Sequence, residues 1–303
     1  MRRLNVRHIT TYRYSEPITP GDHRMMFRPR DSHDLRLISA TLAISPQPIA
    51  IRWLYDVFGN SVAIASFEGT ATELHFESLV SLEHYEAGAP DFALDGAAKD
   101  YPFSYLDTEL PDLIGPMTRR HNEPEIAQWA RSFLHNAGEA TGSMEMLTAM
   151  TVGIKEKFIY AARDEMGVQT PLETLNLGTG SCRDFAFLMM EAVRSLGLAA
   201  RFVTGYIYSP AGSSGNVGGG ATHAWLQVYL PGAGWVEFDP TNGIIGNRDL
   251  IRVAVARDPS QAQPLSGTWT GTPSSYLGMS VDVTVTAGDP DQPVQISTPA
   301  AAA

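Results

Sequence analysis

Cys182 is the only cysteine in the sequence, and its surroundings favour a reactive thiol. Two glycines and Ser181 precede it, and apolar residues at helical spacing follow it, so the pattern predicts a helix that begins at Cys182. A thiol in the first turn of a helix faces unpaired backbone N–H groups and the positive end of the helix dipole, which favour thiolate. Arg183 adds a positive charge that Asp184 partly offsets. The residues alone leave two interpretations open: a nucleophile, or a small buried side chain in a core helix.

His223 and Asp239 are the candidate partners of this thiol, because a thiolate nucleophile needs a base and a group that orients the base. His223 begins the predicted strand HAWLQVYL, and Asp239 ends the predicted strand WVEFD. If the two strands form an antiparallel hairpin around residues 231–234, the start of one lies beside the end of the other. A lone histidine at the start of a strand is more often a solvated or hydrogen-bonded side chain. The convergence of three residue types on one place favours a Cys-His-Asp triad.

Four helices are predicted between residue 122 and Gly197 from apolar residues at helical spacing. Asn122, followed by Glu125, is the expected N-cap of the first helix. The second begins near Ser143, and Thr170 is the expected N-cap of the third. The fourth is the Cys182 helix, which Gly197 ends.

Strands with period-two alternation are predicted on both sides of these helices. Before them the pattern covers residues 4–12, 36–44, 49–55, 62–67 and 73–85. After them it covers residues 199–208, 223–230, 234–238, 251–256 and 281–285. The first group has no helical period and is typical of an antiparallel β-sandwich or barrel.

The predicted fold class is therefore α+β, with an N-terminal antiparallel β-sandwich-like domain followed by a mixed core. A length of 303 residues suggests about two domains. We predict a β-rich domain over residues 1–90, a linker over 91–121, a catalytic core over 122–286 and a disordered tail over 287–303. The glycine-rich residues 209–222, which lead into His223, are predicted to form a loop, with a lid as a second interpretation.

Composition narrows the classes of partner and cofactor. A net charge of −11 repels phosphate backbones and anionic lipid, so neither nucleic acid nor a membrane surface is expected as a partner. A single cysteine excludes an internal disulfide and a thiolate metal cage, and the eight histidines show no close paired spacing, so no metal or other cofactor is expected. No apolar run reaches the roughly 20 residues of a membrane-spanning helix, and the N-terminus lacks the apolar stretch of a secretory signal. We therefore expect a cytoplasmic protein.

The motifs around the three candidate residues resemble those of a known family. The strings GTGSCRDFAFLMMEAVRSLGLAARFVTGY, THAWLQVYLPGAGWVEFDPTNG and RVAVARDPSQAQPLSGTWTG are similar to the transglutaminase-like superfamily. Together with HITTYRYSEPI near the N-terminus, they resemble its bacterial branch of transglutaminase-like cysteine proteases with an N-terminal β domain. The resemblance implies a papain-like core in which the helix of the nucleophile packs on an antiparallel sheet. It also implies that Cys182 is the nucleophile, His223 the general base and Asp239 the residue that orients the imidazole.

One departure from the animal members of the family concerns the oxyanion. Those enzymes use a tryptophan upstream of the nucleophile, but no tryptophan lies between Trp129 and Cys182. The backbone N–H of Cys182 can supply one donor. Tyr160, expected at the end of the second helix, is the candidate for a second donor, and a packing role for this tyrosine is equally compatible with its position.

The function that these residues predict is hydrolysis, or acyl transfer, of peptide amide bonds through a covalent thioester, with a peptide or protein as substrate. Two alternatives stay open: a catalytically silent binding module with the same fold, and a protein-glutamine transamidase. Removal of asparagine-linked sugars, another activity of the superfamily, has no sequence feature in its favour. The oligomeric state is left open.

Overall fold

The structure, a computed structural model, describes residues 1–86, 93–136, 139–163, 167–210 and 216–288. Its N-terminal part is organised by one long strand that bends. The first part of this strand, β1, pairs antiparallel with β5, and its last residues pair with β4. The strands of this part are β1 (Arg2–Met25), β2 (Leu35–Ser45), β3 (Ala50–Tyr55), β4 (Ser61–Ser66) and β5 (Ala71–His84). They follow the order β2-β5-β1-β4-β3 across one sheet.

The sheet curls on itself because β1 belongs to both of its halves. Side chains from the two halves meet in a buried apolar cluster that includes Ile18, Met25, Ala65 and Phe76. The prediction of an N-terminal antiparallel β-sandwich-like domain is thus confirmed as a curled antiparallel sheet. The expected boundary at residue 90 lies outside the described residues.

The last two strands of the chain return to this sheet. These strands are β15 (Leu265–Thr270) and β16 (Tyr276–Ala287), and both pair antiparallel with β1. The strand predicted at residues 281–285 is present, but it belongs to the N-terminal sheet rather than to a catalytic core of residues 122–286. Alternation of valines specifies a strand and a buried face, but it does not specify which partner the strand takes. Of the tail predicted at residues 287–303, Ala287 is the last residue of β16 and residues 289–303 lie outside the described residues.

The core that carries the three candidate residues is a second antiparallel sheet with a helix on one face. Its strands run in the order β13-β12-β11-β10-β14. They are β10 (Ala200–Ile207), β11 (His223–Leu230), β12 (Gly234–Asp239), β13 (Ile244–Ile245) and β14 (Leu250–Ala256). Apolar residues of the helix that begins at Cys182 pack against Ala224, Leu226 and Val228 of the central strand. The α+β class is therefore confirmed.

Five α-helices lie within the described residues. They are α1 (Leu110–Met117), α2 (Pro124–Arg131), α3 (Ser143–Lys157), α4 (Pro171–Leu177) and α5 (Cys182–Ser195). The expected cap of α4 is confirmed, since Thr170 and Glu173 form a capping box. The expected cap of α2 is wrong by one residue. Its N-cap is Glu123, because Pro124 occupies the first helical position and the residue before it must be extended.

Residues 91–121 do not form the linker that was expected. Within their described part, from residue 93, they contain a short 3-10 helix, β6 (Asp100–Tyr101), which pairs with β7 (Thr141–Gly142), and the helix α1. Tyr105 and Leu113 are buried against the core. The apolar residues that pack here are spaced too irregularly to predict a helix or a strand. The sequence therefore predicted a linker, whereas the structure has a segment that packs against the core.

A buried ion pair in the last turns of α5 holds the end of this segment. Arg194 Nη1 lies 2.7 Å from Glu191 Oε1, and neither side chain is exposed. Glu191 Oε2 accepts hydrogen bonds from the backbone N–H groups of Arg120 and His121, and Arg194 Nε donates to Pro116 O. Both charges are thus neutralised by each other and by backbone groups, as buried charges require.

The two sheets share apolar contacts. Val6 and Val283 of the N-terminal sheet lie in one buried cluster with Tyr206 and Ile251 of the core sheet. At the tip of the β3–β4 hairpin, the Asn60 carboxamide bonds both the N–H and the C=O of Val255. Among the described residues, no helix is long and apolar enough to cross a membrane.

Candidate active site

Cys182 lies at the first residue of α5, as predicted, and only 6% of it is exposed. The N-cap of the helix is Ser181. The backbone N–H and the hydroxyl of Ser181 both donate to Asp184 Oδ2, each at 2.8 Å. These bonds fix the chain on entry to the helix and therefore fix the direction in which the thiol leaves it.

Asp184 is the centre of the network that holds this helix start. Its side chain is fully buried, and its Oδ1 accepts from the backbone N–H of Gln169 at 2.7 Å and from Arg163 Nη1 at 3.0 Å. A Cβ on Gly180 would lie 2.9 Å from the Cβ of Asp184, so glycine permits the close approach. From the sequence, Asp184 is expected only to offset the charge of Arg183. The signal for its larger role is the Ser-x-x-Asp spacing before an apolar run.

His223 and Asp239 are brought together by the predicted hairpin. Strands β11 and β12 pair antiparallel from Leu230 opposite Gly234 to Leu226 opposite Phe238. His223 Nε2 lies 2.8 Å from Asp239 Oδ2, and both side chains are fully buried. The backbone N–H of Thr241 donates to the other carboxylate oxygen of Asp239 at 2.9 Å. The carboxylate is therefore held from both sides while it orients the imidazole.

The electrostatics of this pair favour its charged form. Burial opposes protonation of the imidazole, but the charge and hydrogen bond of Asp239, together with the Cys182 thiol, raise the pKa of His223 to about 10. Burial also opposes ionisation of Asp239, and contact with His223 and the hydrogen bonds from Asn242 and Thr241 outweigh it and lower the pKa of that carboxyl. A protonated imidazole can thus sit between a carboxylate and the thiol.

The second ring nitrogen of His223 is the one left for the thiol. Nε2 is taken by Asp239, whereas Nδ1 is buried and has no hydrogen-bond partner within the described part of the chain. The Cys182 thiol is one of the groups that raise the pKa of His223, and Nδ1 is the ring nitrogen that Asp239 leaves available to it. The ring of Trp225 stacks on the imidazole, with 5.9 Å between centroids, and limits its rotation.

Asn242 joins this pair to the segment that precedes His223. Its Nδ2 donates to Asp239 Oδ2 at 2.8 Å and to the backbone carbonyl of Val217 at 3.1 Å, and its Oδ1 accepts from the N–H of Val217 at 2.8 Å. Gly218 follows with a φ of +96°, and a Cβ there would lie 2.6 Å from His223 Nδ1. The glycine-rich segment thus covers the free nitrogen at this point. Residues 211–215 of the predicted loop lie outside the described residues.

Tyr160 lies near Cys182 but not on a helix. Helix α3 ends at Lys157, and Tyr160 belongs to β8 (Ile159–Tyr160), which pairs parallel with β9 (Thr179–Gly180) directly before the nucleophile. The ring is 36% exposed. Burial and the charge of Cys182 raise the pKa of its hydroxyl. Donation from this hydroxyl to an oxyanion stays a prediction.

The described residues contain no cluster of three or more histidine, cysteine or acidic side chains that could hold a metal ion. Chemically, the site offers a thiol at a helix N-terminus, an imidazole held by a carboxylate, and a partly exposed hydroxyl. These are the parts of a covalent acyl-transfer site.

Two family models match the chain. Residues 4–83 match the bacterial transglutaminase-like N-terminal region, and residues 127–240 match the transglutaminase-like superfamily. The second match contains Cys182, His223 and Asp239.

The chain is also similar to individual proteins. An uncharacterised protein of Mycobacterium tuberculosis is 30% identical over 299 residues, which cover 95% of this chain and 94% of that one. A protein-glutamine gamma-glutamyltransferase of Pseudomonas aeruginosa is 34% identical over 73 residues, which cover 23% of this chain and 11% of that one. A chain from Cytophaga hutchinsonii, described as a "putative cysteine protease", shares the fold with a TM-score of 0.67 at 18% identity, covering 96% of this chain and 92% of that one.

Proposed function

The chain belongs to the transglutaminase-like superfamily, and we propose that it is a thiol hydrolase that cleaves peptide amide bonds through a thioester on Cys182. The observation that carries the proposal is the buried His223–Asp239 pair, whose imidazole leaves Nδ1 for a thiol at a helix N-terminus. This arrangement has the order of nucleophile, base and orienting group that covalent acyl transfer requires.

In the first half of the proposed reaction, Cys182 Sγ, as a thiolate beside the protonated His223, attacks the carbonyl carbon of the amide. The carbonyl oxygen becomes an oxyanion, for which the backbone N–H of Cys182 and the hydroxyl of Tyr160 are the proposed donors. The imidazolium then gives the proton to the leaving nitrogen as the C–N bond breaks. An amine departs, and the acyl group stays on sulfur as a thioester.

In the second half, a water molecule attacks the thioester while His223 takes one of its protons. The C–S bond breaks, the acid product leaves, and the thiolate and the protonated imidazole are restored. Asp239 stays ionised throughout and holds Nε2–H, so that Nδ1 keeps its direction. The peptide or protein substrate and the cytoplasmic location expected from the sequence remain proposals.

A protein-glutamine transamidase is the second candidate, and the partial similarity to a gamma-glutamyltransferase favours it. In that reaction an amine rather than water takes the acyl group, and the site must then bind the amine or exclude water. We favour hydrolysis because the two carboxylates placed beside the nucleophile and the imidazole are already committed to other groups. Asp184 and Asp239 are both held in the networks described above. A silent binding module is the less favoured reading because all three residues of the triad are present.

The test is a competition between water and a labelled primary amine for the acyl group of a substrate peptide, with Cys182→Ala as the control. We expect a Cys182-dependent acid product that exceeds the amide product at millimolar amine. An excess of amide replaces the hydrolase by a transferase. An electrophilic thiol probe that labels Cys182 no faster than free cysteine would favour the silent module.

A further inference from the structure

A cavity of about 690 Å³ lies far from Cys182, where the core sheet, α1 and the tip of the β3–β4 hairpin meet. The core sheet contributes Arg201, Tyr229 and Trp235, α1 contributes Asp112, and the hairpin contributes Phe58. His223 and Tyr229 lie on the same face of β11 at opposite ends, about 20 Å apart at the usual rise per residue. Trp225, which is fully buried, lies between them, so the cavity is separate from the candidate active site.

Arg201 gives one wall of this cavity a positive charge without a counter-ion. Its Nε donates to Gln227 Oε1 at 2.7 Å, and its guanidinium lies 4.1 Å from the ring centre of Trp235. No carboxylate of the described chain forms an ion pair with it, because the nearby Glu237 is paired with Arg252. Burial and the charge of Arg252 lower the pKa of Arg201 to about 9 even though Glu237 opposes the change, so the side chain is still charged at neutral pH. A planar cation with free terminal nitrogens is the group that binds a carboxylate most selectively.

The other end of the cavity carries carboxylates. Tyr229 packs edge-on against Trp235, with 5.4 Å between centroids, and its hydroxyl donates to Glu109. Asp112 lines the cavity from the first turn of α1, and Arg257 lines it beside Gly115 of the same helix. The lining thus runs from the cation Arg201 through two aromatic rings to the carboxylates Glu109 and Asp112, with a second cation beside α1. This is the pattern of a site for a zwitterion with an apolar middle.

We propose that this cavity binds a short apolar peptide, with its C-terminal carboxylate on Arg201 and its N-terminal ammonium towards Asp112. The volume falls in the range of about 300–1,000 Å³ that is typical of small-molecule sites, which a di- or tripeptide fills. The separation of the two charges by two aromatic rings fits a short peptide better than one amino acid. The inference does not rest on the thiol chemistry.

The test is calorimetry with the Cys182→Ala protein and three versions of one tripeptide of leucine and phenylalanine: free at both ends, amidated at the C-terminus, and acetylated at the N-terminus. We expect the amide to bind at least tenfold more weakly than the free peptide, because it lacks the charge that pairs with Arg201. Arg201→Gln should weaken the free peptide by a similar factor and leave the amide unchanged. Asp112→Asn should weaken the free peptide but not the acetylated one.

Arg13→Gln is the matched control, since Arg13 is a half-exposed arginine paired with Glu73 on the outer surface of the N-terminal sheet. It should change none of the three affinities. Equal binding of the free peptide and its amide, or no binding of the free peptide at 5 mM, would overturn the proposal. If Arg201→Gln does not fold, the comparison of peptide and amide on the unchanged chain still decides it. Because Cys182 is absent from the protein tested, failure here would leave the proposed hydrolase untouched.

Discussion

Each end of α5 has a buried carboxylate that accepts hydrogen bonds, but the two carboxylates hold different parts of the chain. At its start, Asp184 is buried and accepts from backbone N–H groups and an arginine, and at its end Glu191 does the same. The first network holds the chain next to Cys182, whereas the second ties Pro116 and the residues after it to the core. A buried carboxylate is therefore no sign of catalysis by itself. What distinguishes the start of the helix is the thiol and the imidazole beside it.

The largest expected effect is a loss of catalytic rate when Asp239 is replaced. Asp239→Asn keeps the size of the side chain but leaves the imidazole without a negative partner, so kcat/KM on a confirmed peptide should fall by about 10³–10⁴. The thermal unfolding midpoint should fall as well, because a buried charge pair is broken, but the loss of activity per folded molecule should remain. Steady-state kinetics beside a melting curve test this, and an unchanged kcat/KM would remove Asp239 from the mechanism.

Breaking the network at the end of α5 should lower the unfolding free energy and leave the activity of the folded protein unchanged. Glu191→Gln leaves Arg194 buried without a counter-charge, which costs about 3–5 kcal/mol of unfolding free energy. The activity per folded molecule should stay at the wild-type level, since no group near Cys182 changes. Urea unfolding measures the first quantity, and Glu125→Gln on the exposed face of α2 is the control. A specific loss of kcat would show that the two ends of the helix are coupled.

Asp184→Asn should lower both the unfolding free energy and kcat, each by a moderate amount. An amide nitrogen cannot accept the bonds from Ser181, so buried donors lose their partner at a cost of about 1–3 kcal/mol. The displaced helix start should also lower kcat about tenfold. A loss of stability with no change in kcat would assign Asp184 to the scaffold alone.

Two glycines before His223 allow a matched pair of substitutions. Gly218 and Gly220 both have positive φ, but a Cβ at 218 would meet His223 Nδ1, and a Cβ at 220 would meet nothing within 4 Å. Both alanine variants carry similar backbone strain. We expect a several-fold lower rate of alkylation of Cys182 by iodoacetamide in Gly218→Ala only. Equal rates in the two variants would mean that the segment does not act on the imidazole.

The smallest expected effect is a dependence of stability on pH. The pKa of His223 is raised to about 10, so its contribution is complete below the ordinary value near 6.5 and is lost as the pH rises towards 10. The pKa of Asp239 is lowered, so its contribution is lost only in acid. The difference in melting temperature between wild type and His223→Gln should therefore shrink between pH 6.5 and 10. A constant difference over that range would argue against a charged pair.

Local features of the site could be predicted from the sequence because short segments determine them. The start of α5 follows from Ser181 and the apolar spacing after Cys182, and the meeting of His223 with Asp239 follows from one hairpin. Each depends on residues that are close in the chain. The same locality explains why the bounds of β11 agree with the predicted ones and those of β12 differ by one residue.

Features that depend on distant pairing could not be predicted. Strand β1 bends so that it belongs to both halves of its sheet, and it also pairs with β16. The period-two pattern predicts a strand but does not identify its partners. Asn242 was missed for a related reason, since its role depends on Val217 coming back over the imidazole. The cavity beside Arg201 is formed by three segments far apart in the sequence, and none of them carries a motif for it.

The ladder between β1 and β16 has a consequence for how the chain folds during synthesis. Val6 lies opposite Val285, so the first strand made must wait for the last strand described before its sheet is complete. The core that carries the candidate site is made in between and can fold while that edge of β1 is open. Long-range pairing of this kind is slow and leaves an unpaired edge exposed to other chains. A ribosome that stalls after the core is made would therefore leave a folded core attached to an unfinished, aggregation-prone sheet.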